Sequence, residues 1–508
     1  MALLGLLLGF AAAAHAGKAN DTLTWSTPTE VDSVDFYYQN VREGVILSQQ
    51  ICDSLLHRNA KTREYDPLLA TGYKWIDDVT LELTLRKGVK FHDGRPFSAE
   101  DVVYTFQHIA DPKNAIATPF TSSWVKSVEA LADDRVRFRL NQPTPAALEY
   151  LSGVTPIYPK GHYDKAPVVN GPDGKPRRDW GALVPVCTGP YKVAQFVPGK
   201  SVTMTRNPDY FVGGPKGTPK IGKIVFRTIV DPQTQLAELM TGGIDWIWTL
   251  PKDDAAKVAR GGRITVVSAP TLRISSLAFD AAGRSGQNPF RDVRVRRAVN
   301  HAIDKAAMAK NLLGPEAQVI HVACYPTQNG CSDEGAPRYA YDPAKARALL
   351  AEAGFANGFQ TSILSYRDRA FDEAIIGYLQ AVGIKADLKY LQYASWKTIY
   401  HDGKSPLTHL SWGSAGIDDA SASVSAFFRN NADDYARDPE VMKALETADT
   451  SVQPAKRNEF YRKALVRIAD QAYWVPLFSH PRYYAFTSDL DFTPTADEVA
   501  QFYRSSWK

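Results

Sequence analysis

The sequence predicts an α/β fold with a β-rich segment set into it. Three observations carry that reading. Strand–helix–strand units recur along the chain, at residues 222–250 and again at 341–392. Each helix in them opens on an Asp-Pro pair or closes on Gly, which marks its ends clearly. Residues 61–184 follow another plan, with Leu alternation and long Pro/Gly-rich loops.

At the N-terminus, "MALLGLLLGFAAAAHAGKAN" has an apolar run over 2–14 that ends in Ala14-His15-Ala16. Small residues at the first and third places of that triplet fit cleavage before Gly17, so 1–16 read as a signal peptide. The run lacks a leading Lys or Arg. Either the free amine supplies the only charge or translation starts upstream. No Cys follows the cleavage point, so no lipid anchor is expected. No later apolar run of membrane-spanning length occurs.

In the β-rich segment, "TLELTLRKG" alternates Leu81, Leu83 and Leu85 as a half-buried strand does. "KFHDGRPFSAEDV" follows it, and its His and acids look catalytic in isolation. Each has a structural task instead. His92 to Pro96 form a turn. Ser98 and Asp101 make an imperfect capping box, and Glu100 and Asp101 suit a helix start. Val102, Val103, Phe106 and Ile109 then form an apolar face.

Further on, "GKIVFRTIV" is a strand. Asp231 caps a helix with Pro232 at its first position, Gly242 or Gly243 stops it, and "IDWIWTL" is the next strand. A parallel part of the sheet is expected. Asp342, Pro343 and Gly354 delimit another helix. "FQTSILSY", "IKADLKYLQ" and "LTHLSWG" read as strands around the helix "RAFDEAIIGYLQAVG". Residues 271–485 thus read as an α/β unit of their own.

Composition narrows the function. The chain has 508 residues, enough for two or more domains, and 44% of them are hydrophobic. A net charge of +4 with no run of five basic residues disfavours nucleic-acid binding. The 24 Tyr, 22 Phe and 10 Trp suit a large core or aromatic-lined pockets. Cys324 and Cys331, in "CYPTQNGC", are expected to pair in an oxidising compartment. Cys52 and Cys187, far apart in sequence, could pair, but buried thiols are the favoured reading. Metalloprotease, nucleophile-elbow and Cys-x-x-Cys motifs are all missing, and "VAQFVPGKS" has Ala194 where a phosphate loop needs Gly. No enzyme, cofactor or metal site is expected, although a Ser-His-Asp triad is spatial and invisible to such a scan. His409, near Trp412, is the one His in a suggestive place for a metal.

"LRKGVKFHDGRPFSAEDVVYTF" closely resembles the signature of the periplasmic solute-binding proteins for oligopeptides, dipeptides and nickel. "CTGPYKVAQFVPGKSVTMTRNPDYF", "FRDVRVRRAVNHAID", "YDPAKARALLAEAGF" and "RNEFYRKALVRIADQAYWVPLF" resemble that family's later motifs in the same order. Cys187 replaces a usual Gly. The resemblance implies a two-lobed Venus flytrap with an extra domain inserted in lobe one. By motif order, lobe one would be 17–60, 185–272 and 486–508, the insertion 61–184, and lobe two 273–485. The function implied is that of a monomeric receptor that passes a solute to an inner-membrane ABC permease. The resemblance places a ligand-ammonium partner at Asp418 or Asp419 and a carboxylate partner at Arg367 or Arg369. Trp412 is a candidate wall, and Tyr37 or Tyr38 could line the cleft from lobe one. Asp-Asp-Ala stands where the family often has Asp-Pro, so the ligand stays open between a peptide, a chelated metal, an opine and a sugar conjugate, with a hydrolase as the remote alternative.

Overall fold

The computed structural model describes residues 17–39, 41–171, 174–366 and 369–508. The proposed signal peptide, 1–16, and Arg367 lie outside them. Two large sheets organise the chain. The first has seven strands in the order Tyr191–Val197, Ser201–Arg206, Lys223–Thr228, Thr22–Thr27, Trp246–Trp248, Arg482–Thr487, Ile264–Ala269. The expected strand–helix–strand unit does give parallel pairing, but its two strands do not touch. Both run parallel to Thr22–Thr27, which lies between them. Asp231 caps the intervening helix by accepting from the Thr234 amide at 2.7 Å.

The second sheet has five strands in the order Ile384–Tyr390, Phe359–Ser365, Leu407–Trp412, Ile274–Phe279, Trp474–Ser479. Helices Pro343–Glu352 and Arg369–Ala381 belong to this half, and Asp342 caps the first of them through the Lys345 amide. Strand Arg482–Thr487 pairs within the first sheet, whereas motif order kept residues up to 485 with lobe two. The return between sheets falls at 480–481, because His480 already bonds back to Arg273.

The inserted segment carries a four-stranded antiparallel sheet: Ala70–Asp77, Thr80–Leu85, Arg135–Leu140, Val125–Ala132. Leu81, Leu83 and Leu85 point inward as their alternation requires. The Phe106 ring, from helix Ala99–Ala110, stands edge-on to Phe138 at 4.8 Å. This sheet has no separate core. Leu81, Phe106 and Phe138 belong to the same buried cluster as Trp25 and Trp246 of the first sheet. The "KFHDGRPFSAEDV" stretch is structural throughout. Asp101 accepts from the Ser98 amide at 2.8 Å and from the Lys160 amide at 2.8 Å, while His92 Nε2 lies 3.0 Å from the Gly189 carbonyl.

The disulfides include one expected and one not. Cys324 and Cys331 are bonded. Cys52 and Cys187 are also bonded, which corrects the reading of them as thiols. Folding brings together residues separated by 135 positions, and no local pattern announces that.

Candidate ligand-binding site at the interlobe crossover

The chain passes between the two sheets at 270–273 and again at 480–481, and these passages lie side by side. Thr271 Oγ1 donates to the His480 carbonyl at 2.6 Å, and the His480 amide donates to the Arg273 carbonyl at 2.9 Å. Glu498 ties both passages together. Arg273 Nη2 reaches it at 2.8 Å and Arg482 Nε at 2.5 Å, and Arg42 Nη2 stands 3.8 Å away. Burial alone would raise the Glu498 pKa. Arg273, Arg482 and Arg42 overcome that and hold the carboxyl well below its ordinary value. Tyr366 and Tyr393 lie within electrostatic range of Arg273, and the Arg482 guanidinium sits over the Trp248 ring.

A loop from the second lobe covers this cluster. Ser414, Ala415 and Gly416 all have positive φ, at 51°, 51° and 82°. Such a run is costly for the two residues that carry side chains. The loop also approaches closely: a Cβ on Gly413 would stand 2.9 Å from Arg273 Nη2.

Beside it, a second charge network bridges the lobes. Arg58 bonds Glu149, Asp418 and Asp497 at 3.2, 3.3 and 3.2 Å. Arg63 Nε donates to Asp418 at 2.8 Å, and Glu149 accepts from the Asp418 amide at 2.8 Å. A narrow cavity of about 40 Å³, lined by Gln49, Arg58, Glu149, Gly416 and Asp497, is left between the lobes here. It has room for little more than a water or two.

The candidate residues fall unevenly around these features. Asp418 and Asp419 are only 4% exposed each and already face protein guanidiniums. Asp418 holds Arg58 and Arg63. Asp419 accepts from Arg457 at 2.7 Å and caps a short turn at Ser421, on a separate groove of about 650 Å³ between the inserted sheet and the second lobe. Trp412 is half-buried, its Nε1 donating to the Ala422 carbonyl at 2.6 Å. Tyr37 does not line a cleft: it is fully buried and donates to the Pro156 carbonyl. Tyr38 lies in the same aromatic packing, 2.7 Å from His108 Nε2. Arg369 is exposed on its helix, facing Glu373 at 3.4 Å. Sequence reasoning missed Arg42, Arg273, Arg482 and Glu498, which come from four distant segments.

One constellation has the hydrogen-bond order of a hydrolase triad. His409 Nδ1 is 2.6 Å from Asp372 Oδ1, and Ser275 Oγ is 2.8 Å from His409 Nε2. All three residues are 0% exposed, and Ser275 sits inside a sheet strand between two partners. His409 is thereby engaged in the core, not offered to a metal. Ser275→Ala should cost about 1–3 kcal/mol in urea unfolding, because it leaves a buried imidazole nitrogen unpaired.

These features define a two-lobed protein whose lobes join through paired crossover strands, as in the periplasmic binding proteins. The chain belongs to the bacterial extracellular solute-binding proteins, family 5, whose middle region it matches over residues 64–435. Heme-binding protein A of Haemophilus influenzae is 26% identical over 461 residues, covering 85% of this chain and 82% of that protein. Glutathione-binding protein GsiB of Salmonella typhimurium is 27% identical over 432 residues, covering 81% and 80%. Among solved structures, DppA from Helicobacter pylori in complex with the peptide STSA superposes with a TM-score of 0.81 at 24% identity, covering 97% of this chain and 98% of that one. This chain is therefore a substrate-binding receptor of the ABC-importer class, and its homologues are receptors, not enzymes. Family 5 binding proteins are periplasmic or extracellular, and among the described residues no helix is long and apolar enough to cross a membrane.

Proposed function

We propose that this receptor captures a small peptide-like solute between its lobes and hands it unchanged to an inner-membrane permease, acting as a periplasmic monomer after loss of residues 1–16. In this reading the seven-stranded sheet and the inserted sheet move together as one lobe, and the five-stranded sheet forms the other. The shared core of the first two supports that grouping.

The observation that carries the proposal is the crossover. Two adjacent strand passages are the only covalent joints that the lobes need in order to hinge, and Glu498 pins both of them. With about 40 Å³ between the lobes at Arg58 and Gly416, against about 650 Å³ in the groove between the inserted sheet and the second lobe, a solute reaches the Arg58 side only when the lobes part. Closing over it then couples affinity to conformation. Relatives named for glutathione and for peptides support a peptide-like cargo. Catalysis finds no support, because the Ser275–His409–Asp372 set is sealed inside the second lobe.

Native mass spectrometry of the purified protein should show a co-purifying small solute. Adding that solute back should shrink the radius of gyration in small-angle scattering, with the solute recovered intact. A ligand that binds with no change in dimensions would contradict the closure mechanism. A ligand that is turned over would contradict the receptor reading.

A further inference from the structure

We propose that Asp245 is the receiving site for the α-ammonium created on Gly17 when residues 1–16 are removed, and that this ion pair locks the start of the mature chain onto the seven-stranded sheet. The pair forms only in the processed protein. It rests on the reading that cleavage falls before Gly17.

Asp245 is a buried carboxylate that lacks a cation. It is 4% exposed and sits where three strands meet. Its Oδ2 accepts from the Thr24 amide at 2.7 Å, its own amide donates to the Thr24 carbonyl at 2.7 Å, and its carbonyl accepts from the Thr487 amide at 2.9 Å. Other buried acids of this chain have a cationic partner. Glu498 faces three guanidiniums, Asp418 faces Arg58 and Arg63, and Asp53 lies 2.9 Å from Lys216 Nζ. Asp245 has only the Thr24 and Gly17 amides beside it, and burial pushes its carboxyl up to about 7 despite them. A carboxylate so placed is stabilised strongly by any cation that reaches it. The nearby cations are engaged elsewhere: Lys18 Nζ donates to the Lys508 carbonyl, and Arg263 Nη2 donates to the Met240 carbonyl at 3.2 Å.

Gly17 is in place to supply that cation. A Cβ on Gly17 would stand 3.5 Å from Asp245 Oδ1, and the Gly17 amide donates to the Thr22 carbonyl at 2.8 Å. Its φ of 110° is one that glycine adopts readily and other residues do not. In the uncut chain this nitrogen has a single N–H, and Thr22 takes it. Hydrolysis of the Ala16–Gly17 bond by water leaves the hydroxyl on the Ala16 carbonyl carbon and a hydrogen on the Gly17 nitrogen. At neutral pH the amine takes up a further proton, because its ordinary pKa is about 8. The nitrogen then carries three donors and a positive charge beside Asp245. One donor keeps the Thr22 carbonyl and another turns to the carboxylate. A recess of about 710 Å³, lined by Gly17, Lys18, Asp245, Arg263, Asp489 and Trp507, gives the new terminus room.

The test uses the chain from Gly17 onward behind a removable leader, cut in vitro to leave a free Gly17 amine. Cutting should raise the melting temperature at pH 7 by about 2 °C or more. In Asp245→Asn, which keeps an acceptor for the Thr24 amide, cutting should leave it unchanged. A second form cut to leave one extra residue before Gly17 carries its ammonium away from Asp245 and should lose the rise, with no substitution in the fold. Labelling of the Gly17 amine by cyanate at pH 7 should run about tenfold slower in the cut wild type than in cut Asp245→Asn, the effect of one unit of amine pKa. The proposal is overturned if cutting shifts wild type and Asp245→Asn equally, if the extended form melts as high as the Gly17 form, or if the two proteins label at the same rate. The intact mass of the exported protein reads the cleavage point separately. A start other than Gly17 sinks the cleavage reading and the proposal with it, whereas a Gly17 start without the melting difference sinks the proposal alone.

Discussion

Glu498→Gln is expected to lower the unfolding free energy by about 3–5 kcal/mol, the range for breaking a buried charge cluster from one side. The substitution keeps the shape and removes the only carboxylate that Arg42, Arg273 and Arg482 share. Three guanidiniums are then left repelling one another at the crossover, in poor contact with water. Urea unfolding at neutral pH measures the loss. The pH dependence gives a second reading of the same charge. The Glu498 pKa is depressed in the folded state, so its contribution is fully present above its unfolded value, near 4.5. It is lost as the pH falls below that toward the folded value. The gap between wild type and Glu498→Gln should therefore be widest at neutral pH and narrow progressively under acid. A gap that stayed constant from pH 7 to pH 3 would show that packing, not charge, accounts for the cost. Arg273→Ala is the informative companion. It should cost less than Glu498→Gln, because Arg482 and Arg42 still neutralise the glutamate.

What the sequence revealed and what it hid differ by range. Local rules worked where the interaction was local. The Leu81, Leu83, Leu85 alternation, the Asp231 and Asp342 caps and the Ser98–Asp101 pair all involve residues within a few positions of each other, and each is seen as expected. The site is assembled at long range instead. Arg42 begins a helix, Arg273 lies on the first passage between sheets, Arg482 opens the strand that follows the second, and Glu498 follows in a C-terminal loop. No spacing links them. Family resemblance pointed to Asp418 and Asp419, but a sequence cannot show that Arg58, Arg63 and Arg457 already hold them. Tyr37 failed for a related reason. An aromatic next to a loop reads as a pocket wall, until its ring is found packed edge-on against Tyr158 in the core.

The Cys52–Cys187 bond carries the second large prediction. The loop it closes contains the whole of the inserted segment 61–184, so it staples together the chain on either side of that segment. Its sequence separation is 135, against 7 for Cys324–Cys331. In the chain-entropy account, a loop of the longer kind is worth about 5 kcal/mol and one of the shorter kind about 2–3 kcal/mol. Cys52→Ala/Cys187→Ala should therefore lower the urea midpoint roughly twice as far as Cys324→Ala/Cys331→Ala, and an oxidising compartment is the setting in which that difference matters. The bond also bears on binding. Gly189 packs against the Ile51 carbonyl so tightly that a Cβ would lie 2.4 Å from it, and the Gly189 amide donates to that carbonyl at 3.0 Å. This clamps the end of helix Arg42–Ile51, whose first residue is Arg42. Arg58, Arg63 and Glu149, which grip Asp418 across the lobes, all lie inside the same closed loop. Opening it should thus weaken solute affinity as well as stability. The Cys324–Cys331 loop reaches the same region, with Gln328 Nε2 donating to the Ile417 carbonyl at 3.0 Å and the Asn329 amide to the Asp418 carbonyl at 3.2 Å, so opening that loop should weaken affinity too, to a smaller extent. Equal losses of affinity in the two double variants would separate the staple from the site.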